Sequence, residues 1–473
     1  MGFVELISHS FQYFIVRAGN GISAIVTLSV FSRLLSPTEY GVYAVGMAIA
    51  SVASAICFQW LNVAVGRFYP RHLEDPGKVI CVAERGFWAV TAVATLLLIV
   101  ILPFQQIFSV EPVLVGILFL ITITLGRHAL ALQVANAQGA PVQYGLLSWA
   151  KGAGALFAGS IFIFYGFGAL GALLGFLVGL VFAVTAFTTN VGVRIPTSGG
   201  DKGPSSEMFR YGLPLTLNFF AIVIVDVVDR FMIGILLGVA YVAPYAVAYD
   251  LVQQFVGPVM SVLFLAAFPL IVREFEVNGA EAARSRLHAM GSRLVAVGLP
   301  TAVGISVLAS HISDTIFGPD YRQDAAANMP WLAAAIFIAA FKSYFLDVVF
   351  QLNQATNYQG YIAILMAAVN IVLNLILLPR YGVIAAAWAT FVAFAVGALA
   401  SWFVGKSVFL LPTLGNLYLK CVISCTIMAI VLYLLGSSSG IIWLMIKIAL
   451  GIGTYGVMAL ALDVAGLRRL LKL

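Results

Sequence analysis

The stretch "LTLNFFAIVIVDVVDRFMIGILLGVAYVAPYAVAY" at residues 215–249 is an apolar run that contains the charged segment "DVVDRFMIG" at residues 226–234. The run exceeds the roughly 20 apolar residues that a helix needs to cross a bilayer. Unpaired charges are costly in such surroundings. Asp226, Asp229 and Arg230 are therefore expected to have partners or a function.

The rest of the chain has the composition of a membrane protein. Of its 473 residues, 62% are hydrophobic and only 9% are charged, whereas soluble domains carry about 25% charged residues. A soluble protein of this composition would lack a polar surface. The net charge of +6 comes from basic residues spread along the whole chain, so no nucleic-acid partner is expected. The predicted fold class is an all-α polytopic membrane protein.

Apolar runs of suitable length predict fourteen transmembrane helices. Twelve is the alternative if the last pair is misread. The predicted spans cover residues 10–34, 40–66, 84–105, 111–136, 142–164, 168–190, 209–236, 239–271, 290–312, 328–352, 359–378, 382–405, 415–435 and 439–463.

Lysine and arginine are concentrated in alternate loops. Most of them follow the second, sixth, eighth and twelfth spans or lie at the C-terminal end, whereas the opposite loops hold only Arg33, Arg322 and Arg380. Positively charged residues favour the cytoplasmic side of a membrane. This pattern predicts that both termini lie in the cytoplasm.

Short motifs recur in the two halves of the chain, which suggests an internal repeat. The matched pairs are "FQYFIVRAGN" from Phe11 with "FRYGLPLTLN" from Phe209, "LLSPTEYGVYAV" from Leu34 with "LLGVAYVAPYAV" from Leu236, and "YGFGALGA" from Tyr165 with "YGVIAAAW" from Tyr381. Their common order predicts a duplicated six-helix unit. Six is an even number, so both copies would point the same way, as lobes related by a pseudo-two-fold axis along the membrane normal.

The polar segment "RIPTSGGDKGPSSEMFR" at residues 194–210 separates the two copies. Its Gly, Ser and Pro content is typical of a loop. The predicted domains are an N-terminal six-helix lobe (1–190), a cytoplasmic linker (191–208), a C-terminal six-helix lobe (209–405) and two additional helices, 13 and 14 (415–465).

Four motifs carry a resemblance to a known family. They are "RLLSPTEYGVYA" at residues 33–44, "DRFMIGILLG" at 229–238, "FGPDYR" at 317–322 and "NIVLNLILLPRYGVIAAAWATFVAF" at 370–394. In this order they resemble the polysaccharide transporter family, the O-antigen and exopolysaccharide flippases of the multidrug/oligosaccharidyl-lipid/polysaccharide exporter superfamily. The resemblance covers roughly residues 10–405.

The resemblance implies a two-lobed carrier in the bacterial cytoplasmic (inner) membrane. Such a carrier would move an undecaprenyl-pyrophosphate-linked oligosaccharide from the inner to the outer leaflet, for O-antigen, capsule or exopolysaccharide synthesis. Its partners would be the lipid-linked oligosaccharide, membrane lipids, a polysaccharide polymerase and a chain-length regulator. The alternatives are a lipid II-type flippase and a multidrug/cation antiporter of the same superfamily. A polymerase or ligase is disfavoured because the longest polar loops are on the predicted cytoplasmic side.

Four basic residues are expected at one level inside the membrane. By the helical rise of about 1.5 Å per residue, Arg17, Arg127, Lys151 and Lys342 lie roughly 12–15 Å from the cytoplasmic side. They are candidate ligands of the substrate pyrophosphate, whose oxygens favour Arg and Lys donors. The alternative is that their long side chains reach back to the interface, which is the preferred interpretation for two others, Lys420 and Lys447.

Asparagines at membrane depth are candidate ligands for the sugar. They are Asn20, Asn218, Asn370 and Asn374. Amide groups suit hydroxyl-rich ligands, but in membrane helices they more often hold neighbouring helices together.

The acidic cluster in the opening stretch has three interpretations. Asp226 and Arg230 are four residues apart, the favourable order for an ion pair on a helix, which leaves Asp229 in need of water, a bound cation or Arg33. With Asp250, the cluster is a hydrated helix end, an outer gate or a coupling-ion site. No cofactor is expected, and coupling to a proton or sodium gradient is the open alternative. No phosphate-binding glycine loop, metal cluster or catalytic triad is recognised, so no catalytic or metal-binding residue is predicted.

Overall fold

A computed structural model describes residues 3–101, 111–188, 205–436 and 440–470. Every regular element in these ranges is helical, as lipid surroundings require when the backbone must satisfy its own hydrogen bonds. The α-helices are α1 (Phe3–Leu34), α2 (Pro37–Phe68), α3 (Pro76–Ile101), α4 (Pro112–Ala137), α5 (Pro141–Phe162), α6 (Gly168–Thr188), α7 (Ser205–Leu236), α8 (Val242–Val307), α9 (Ala309–Ile316), α10 (Arg322–Phe341), α11 (Val348–Leu352), α12 (Asn357–Tyr381), α13 (Ile384–Val408), α14 (Gly415–Leu434), α15 (Ile441–Ala461) and α16 (Leu467–Leu470).

The sequence sets helix boundaries through local chemistry. At the start of α2, Ser36 accepts a hydrogen bond from the Glu39 amide at 3.3 Å, and the Glu39 carboxylate accepts from the Ser36 amide at 2.9 Å. Pro37, which lacks an N–H, occupies the first turn. This capping box satisfies two amides that the helix leaves unpaired. The Ser-Pro-Thr-Glu sequence therefore starts α2 at this point.

The predicted polytopic fold with about fourteen spans is confirmed. Ten helical stretches of the described chain are long and apolar enough to cross a membrane. Two of these are double: Pro141–Phe187 is interrupted at Gly166, and Val239–Val307 is interrupted at Gly279. Both glycines have positive φ, of 88° and 82°, a conformation that other residues rarely adopt. With α1 and α7, each 32 residues long, these stretches account for the fourteen spans.

The region between the eighth and ninth predicted spans differs from expectation. It was predicted as a loop at residues 272–289, but helical structure continues through it except at Gly279. Charged residues in helical spacing explain the difference: pairs such as Arg286 with Glu274, at 3.8 Å, bridge the two helical arms. A polar helix can extend beyond the membrane when water solvates its surface.

The chain divides into two compact units, Met1–Val227 (unit 1) and Val228–Leu473 (unit 2). The boundary falls within α7, and the predicted linker lies mostly outside the described residues. The domain boundaries predicted from the sequence remain a prediction.

In unit 2, helices α14 and α15 pack against α8. The Tyr455 hydroxyl on α15 donates a hydrogen bond to the Ala296 carbonyl of α8 at 2.7 Å. The sequence predicts that the Lys447 side chain extends to the membrane interface, but in the structure it does not. Its side chain is fully buried, and its ammonium contacts the Gly436 carbonyl at 2.6 Å and the His311 ring nitrogen at 2.5 Å. The ammonium is stabilised by hydrogen-bond acceptors close to it inside the bundle, so the side chain does not extend to water.

In unit 1, α5 and α6 approach so closely that only glycine fits at the contact. A Cβ atom at Gly175 would lie 2.2 Å from the backbone nitrogen and Cα of Gly159, and one at Gly154 would lie 2.6 Å from the Cα of Gly179. Gly175 and Gly179 are four residues apart on one face of α6. Small residues at this spacing allow helix backbones to touch in membranes, where the hydrophobic effect does not drive helix association.

We expect Gly175→Ala to lower the free energy of unfolding by about 1–3 kcal/mol, because the new methyl group meets backbone atoms that cannot rotate away. The thermal unfolding midpoint of the detergent-purified protein would fall. Gly116→Ala is the matched control, since a Cβ there meets nothing within 4 Å. Equal midpoints for the two variants would contradict close packing of α5 on α6.

Candidate functional site

Asp229 is the centre of a polar cluster inside unit 2. Its side chain is only 1% exposed. Three neutral groups donate hydrogen bonds to it: the Tyr245 hydroxyl at 2.6 Å, the Thr390 hydroxyl at 2.6 Å and the Asn374 amide at 2.7 Å. The donors come from α8, α13 and α12. The carboxylate therefore joins α7 to three other helices.

The cluster leaves both an acceptor and a donor unsatisfied. The Thr390 hydroxyl carries one proton, yet it lies within hydrogen-bonding distance of both Asp229 and the Ala386 carbonyl, the latter at 2.8 Å. The Asn374 amide donates to the Asn370 oxygen at 2.9 Å, whereas the side-chain oxygen of Asn374 and the side-chain nitrogen of Asn370 have no hydrogen-bond partner. A buried carboxylate with an unpartnered oxygen beside it is an environment that a small hard cation or a proton would complete.

Sequence reasoning placed only part of this cluster. It identified Asp229 as a carboxylate in need of a partner, and considered a cation such as Arg33. The described partners are instead neutral donors of unit 2. Asn370 and Asn374 were predicted as sugar ligands; the structure places both, fully buried, beside Asp229. Thr390 was missed because a threonine in an apolar helix carries no signal of its own.

Arg230 adjoins this cluster and has a partner that helical spacing does not reveal. The sequence predicts a pair with Asp226, which is exposed in the structure. The structure adds a salt bridge from Arg230 to Asp250 of α8. The guanidinium also lies over the Tyr249 ring, 5.9 Å from its centroid. The sequence analysis placed Asp250 and Arg230 in one cluster, and the structure shows them in contact. The acid comes from α8.

Two of the four predicted phosphate ligands already pair with an acid. Arg127 of α4 makes a salt bridge with Glu84 of α3 at 2.6 Å. Lys342 is buried and donates to Asp347 at 2.7 Å. Ser401 donates to the other oxygen of the same carboxylate at 2.8 Å. The charge of Lys342 is therefore already neutralised by Asp347 within unit 2. Lys342 begins a π-helical segment (Lys342–Leu346) that follows α10.

The remaining predicted ligands have different surroundings. Lys151 of α5 is half-buried, and its ammonium lies 6.0 Å from the centroid of the Phe176 ring. Within the described part of the chain it has no acidic partner. Asn20 is half-buried on α1. The side chains of Arg17 and Asn218 lie outside the described residues. The binding roles of all these residues remain predictions.

Comparison with known proteins gives the family and the fold. The sequence model of a family described as "Polysaccharide biosynthesis protein" matches residues 30–326. No curated protein sequence matches the chain.

Several solved membrane transporters have a similar structure. The lipid II flippase MurJ in an inward closed conformation is 16% identical, with a TM-score of 0.73, covering 96% of this chain and 98% of that one. An inward-facing multidrug resistance MATE family transporter of the MOP superfamily is 14% identical, with a TM-score of 0.62 and coverage of 84% and 94%. A MOP superfamily transporter from Pyrococcus furiosus is 15% identical, with a TM-score of 0.56 and coverage of 85% and 94%.

Identities this low establish the shared fold alone. The family assignment rests on the sequence model, which matches well over half of the 473 residues. The chain is a multi-pass membrane protein with the fold of the MOP superfamily, and it belongs to the polysaccharide biosynthesis protein family.

Proposed function

We propose that the protein is a flippase of the bacterial inner membrane with both termini in the cytoplasm. Its substrate would be an undecaprenyl-pyrophosphate-linked oligosaccharide, moved from the inner to the outer leaflet by alternating access. The pathway would be O-antigen (lipopolysaccharide), capsule or exopolysaccharide synthesis, with a polymerase and a chain-length regulator as partners. The family assignment supports a role in polysaccharide synthesis, and the fold shared with a lipid II flippase supports lipid-linked transport.

The observation that carries this proposal is the pair of cations inside unit 1. Arg127 and Lys151 lie on adjacent helices, α4 and α5, which pack against each other. A pyrophosphate carries about two negative charges, and charge-assisted hydrogen bonds to Arg and Lys are among the strongest in proteins. Glu84 holds Arg127 through one guanidinium nitrogen, so other donors of the planar group remain for a phosphate. Lys151 adds a second positive charge.

The Asp229 cluster would couple transport to an ion gradient. A carboxylate in an apolar bundle gains most from a counter-charge, and the described donors to Asp229 are all neutral. If the Thr390 proton turns to the Ala386 carbonyl, the hydroxyl oxygen and the Asn374 oxygen become free to contact a sodium ion. A proton on Asp229 would neutralise the same charge. Either event changes the hydrogen bonds through which Asp229 connects α7 to α8, α12 and α13.

A lipid II-type substrate is the second candidate, because the similar MurJ structure is that of a lipid II flippase. Both substrates would present a pyrophosphate to the same cations. Complementation of strains that lack one or the other flippase would separate the two activities.

Arg127→Ala and Lys151→Ala should each abolish or strongly reduce polysaccharide export while leaving the protein in the membrane. Loss of one charge-assisted contact of about 1.5–3 kcal/mol corresponds to roughly a tenfold to hundredfold loss of affinity. Arg127→Lys should keep part of the activity, since the charge remains but the bidentate geometry is lost. Export is measured in a flippase-deleted strain, with the protein level in membranes as the reference.

Arg71→Ala is the matched control, because this arginine is exposed and lies outside the candidate site. Glu84→Gln separates a substrate role from a structural one: it should leave Arg127 available to phosphate and preserve export. Normal export by both the Arg127 and Lys151 alanine variants would refute binding of the head group there.

Sodium should raise the thermal unfolding midpoint of the purified protein, relative to choline at equal ionic strength, and Asp229→Asn should remove the effect. At a concentration of about 100 times the dissociation constant, a bound ion adds about 2.7 kcal/mol of stability. Asp320→Asn, outside the cluster, is the control and should respond as the parent does. A sodium-independent midpoint combined with pH-dependent transport that Asp229→Asn abolishes would assign the site to a proton. If the unfolding midpoint of the parent protein does not depend on sodium and its transport does not depend on pH, coupling at Asp229 is excluded.

A further inference from the structure

A cavity of about 580 Å³ lies in unit 2, apart from the Asp229 cluster. It is bounded by the arm of α8 that follows Gly279, by the start of α14 and by the 3₁₀ turn after α15 (Val464–Gly466). The start of α14 and the turn after α15 meet here against the side of α8. This side of the unit also carries the arginines of the α8 segment, so the distribution of positive charge assigns it to the cytoplasmic face.

The cavity walls carry an excess of positive charge. His288, Arg293 and Lys420 line it, and the acid among its lining residues is Asp463. The Asp463 carboxylate already accepts a hydrogen bond from the Arg468 amide at 3.1 Å. Arg293 and Lys420 make no ion pair with the residues that the structure describes. Two cations thus face a space large enough for a ligand without a counter-charge.

The cavity also presents polar hydrogen-bond donors that have no acceptor. Ser292 lines it with only 6% of its surface exposed, and its hydroxyl has no hydrogen bond in the described part of the chain. Helical serines usually bond a carbonyl one turn earlier, so an unbonded one beside a cavity is available to a ligand. Helix α14 begins here without a side-chain cap, and Gly415 and Asn416 of its first turn line the same space. The unpaired amides at a helix start favour an anion.

An apolar groove of about 570 Å³ lies further along the same two helices and shares no lining residue with the cavity. Its walls include Leu299 and Val303 on α8 and Val422 and Ala429 on α14. It reaches Leu434, the last residue of α14, so it lies towards the opposite end of this membrane span. The lining of the cavity itself lies at the start of the membrane-spanning helix α14 and suits an anionic headgroup.

We propose that this cavity binds the phosphate headgroup of an anionic phospholipid of the cytoplasmic leaflet. Arg293, Lys420 and the Ser292 hydroxyl contact the phosphate. The lipid fills the space between the start of α14 and the side of α8 and so holds α14 and α15 to the other helices of unit 2. This site is separate from the substrate cations of unit 1 and does not depend on the proposed transport activity.

Native mass spectrometry of the detergent-purified full chain tests the proposal, with phosphatidylglycerol as the probe and phosphatidylethanolamine as the zwitterionic comparison. Each surface Lys or Arg contributes about 1 kcal/mol to attraction of an anionic lipid, so the double variant Arg293→Gln/Lys420→Gln should bind phosphatidylglycerol about 30-fold more weakly. Ser292→Leu keeps every charge but fills the cavity, and it should also lose the tightest lipid adduct.

Arg284→Gln/Arg286→Gln is the matched control: it removes two charges from the same α8 segment outside the cavity and should bind as the parent does. Equal binding of the two lipids by the parent, or parent-like binding by the Ser292→Leu variant, overturns the proposal. Displacement of phosphatidylglycerol by inorganic phosphate alone would assign the cavity to a free anion. Preferential binding of undecaprenyl pyrophosphate would assign it to the transport substrate, and either result rejects a phospholipid site. If the double variant does not fold, the Ser292→Leu variant alone decides between these outcomes.

Discussion

The hydrogen bonds to Asp229 are the interaction on which the arrangement of unit 2 most depends. A carboxylate within an apolar bundle must find its donors inside the protein, because lipid supplies none. Tyr245, Asn374 and Thr390 each come from a different helix and each lies within 2.7 Å. The position of α7 is therefore tied to those of α8, α12 and α13 through one side chain. Any event that neutralises that side chain weakens three helix contacts at once.

The same constraint explains the other buried charges of the described chain. Lys342 and Asp347 neutralise each other, and Ser401 satisfies the second carboxylate oxygen. Lys447 is different, because its described partners are the neutral Gly436 carbonyl and the His311 ring. Burial of an ion pair is weak evidence for stability, although removal of one partner is strongly destabilising. These buried charges stabilise particular contacts in the bundle, so replacing one of them with a neutral residue is expected to destabilise the protein.

The two units differ in how their polar groups are satisfied, and the proposed mechanism uses this difference. In unit 1, Arg127 has one acidic partner and Lys151 is half-buried against an aromatic ring, so both can receive an anionic ligand. In unit 2, Asp229 has only neutral described donors and lies beside the unpartnered side-chain oxygen of Asn374, which suits a cation. The anionic substrate would thus bind in unit 1 and the coupling cation in unit 2. Substrate binding and ion binding would then act on separate helix bundles of one chain.

The membrane class, the number of spans and the family could be predicted from the sequence alone. These follow from composition, from the length of apolar runs and from contiguous motifs such as Ser36–Glu39, all of which act over a few turns of one helix. The sequence also identified Asp229 as a residue that needs a partner, since the cost of a buried charge is independent of the fold.

The partners of Asp229 became known from the packing of the helices. Tyr245 and Thr390 are 145 residues apart, and Arg230 pairs with an acid twenty residues away on another helix. Helical spacing reveals neighbours three or four residues apart but carries no information about which faces of separate helices meet. The assignment of Asn370 and Asn374 to the Asp229 cluster, and of Lys342 to Asp347, depended on that packing. The basic cavity beside α14 likewise exists only because three segments that are distant in sequence meet in unit 2.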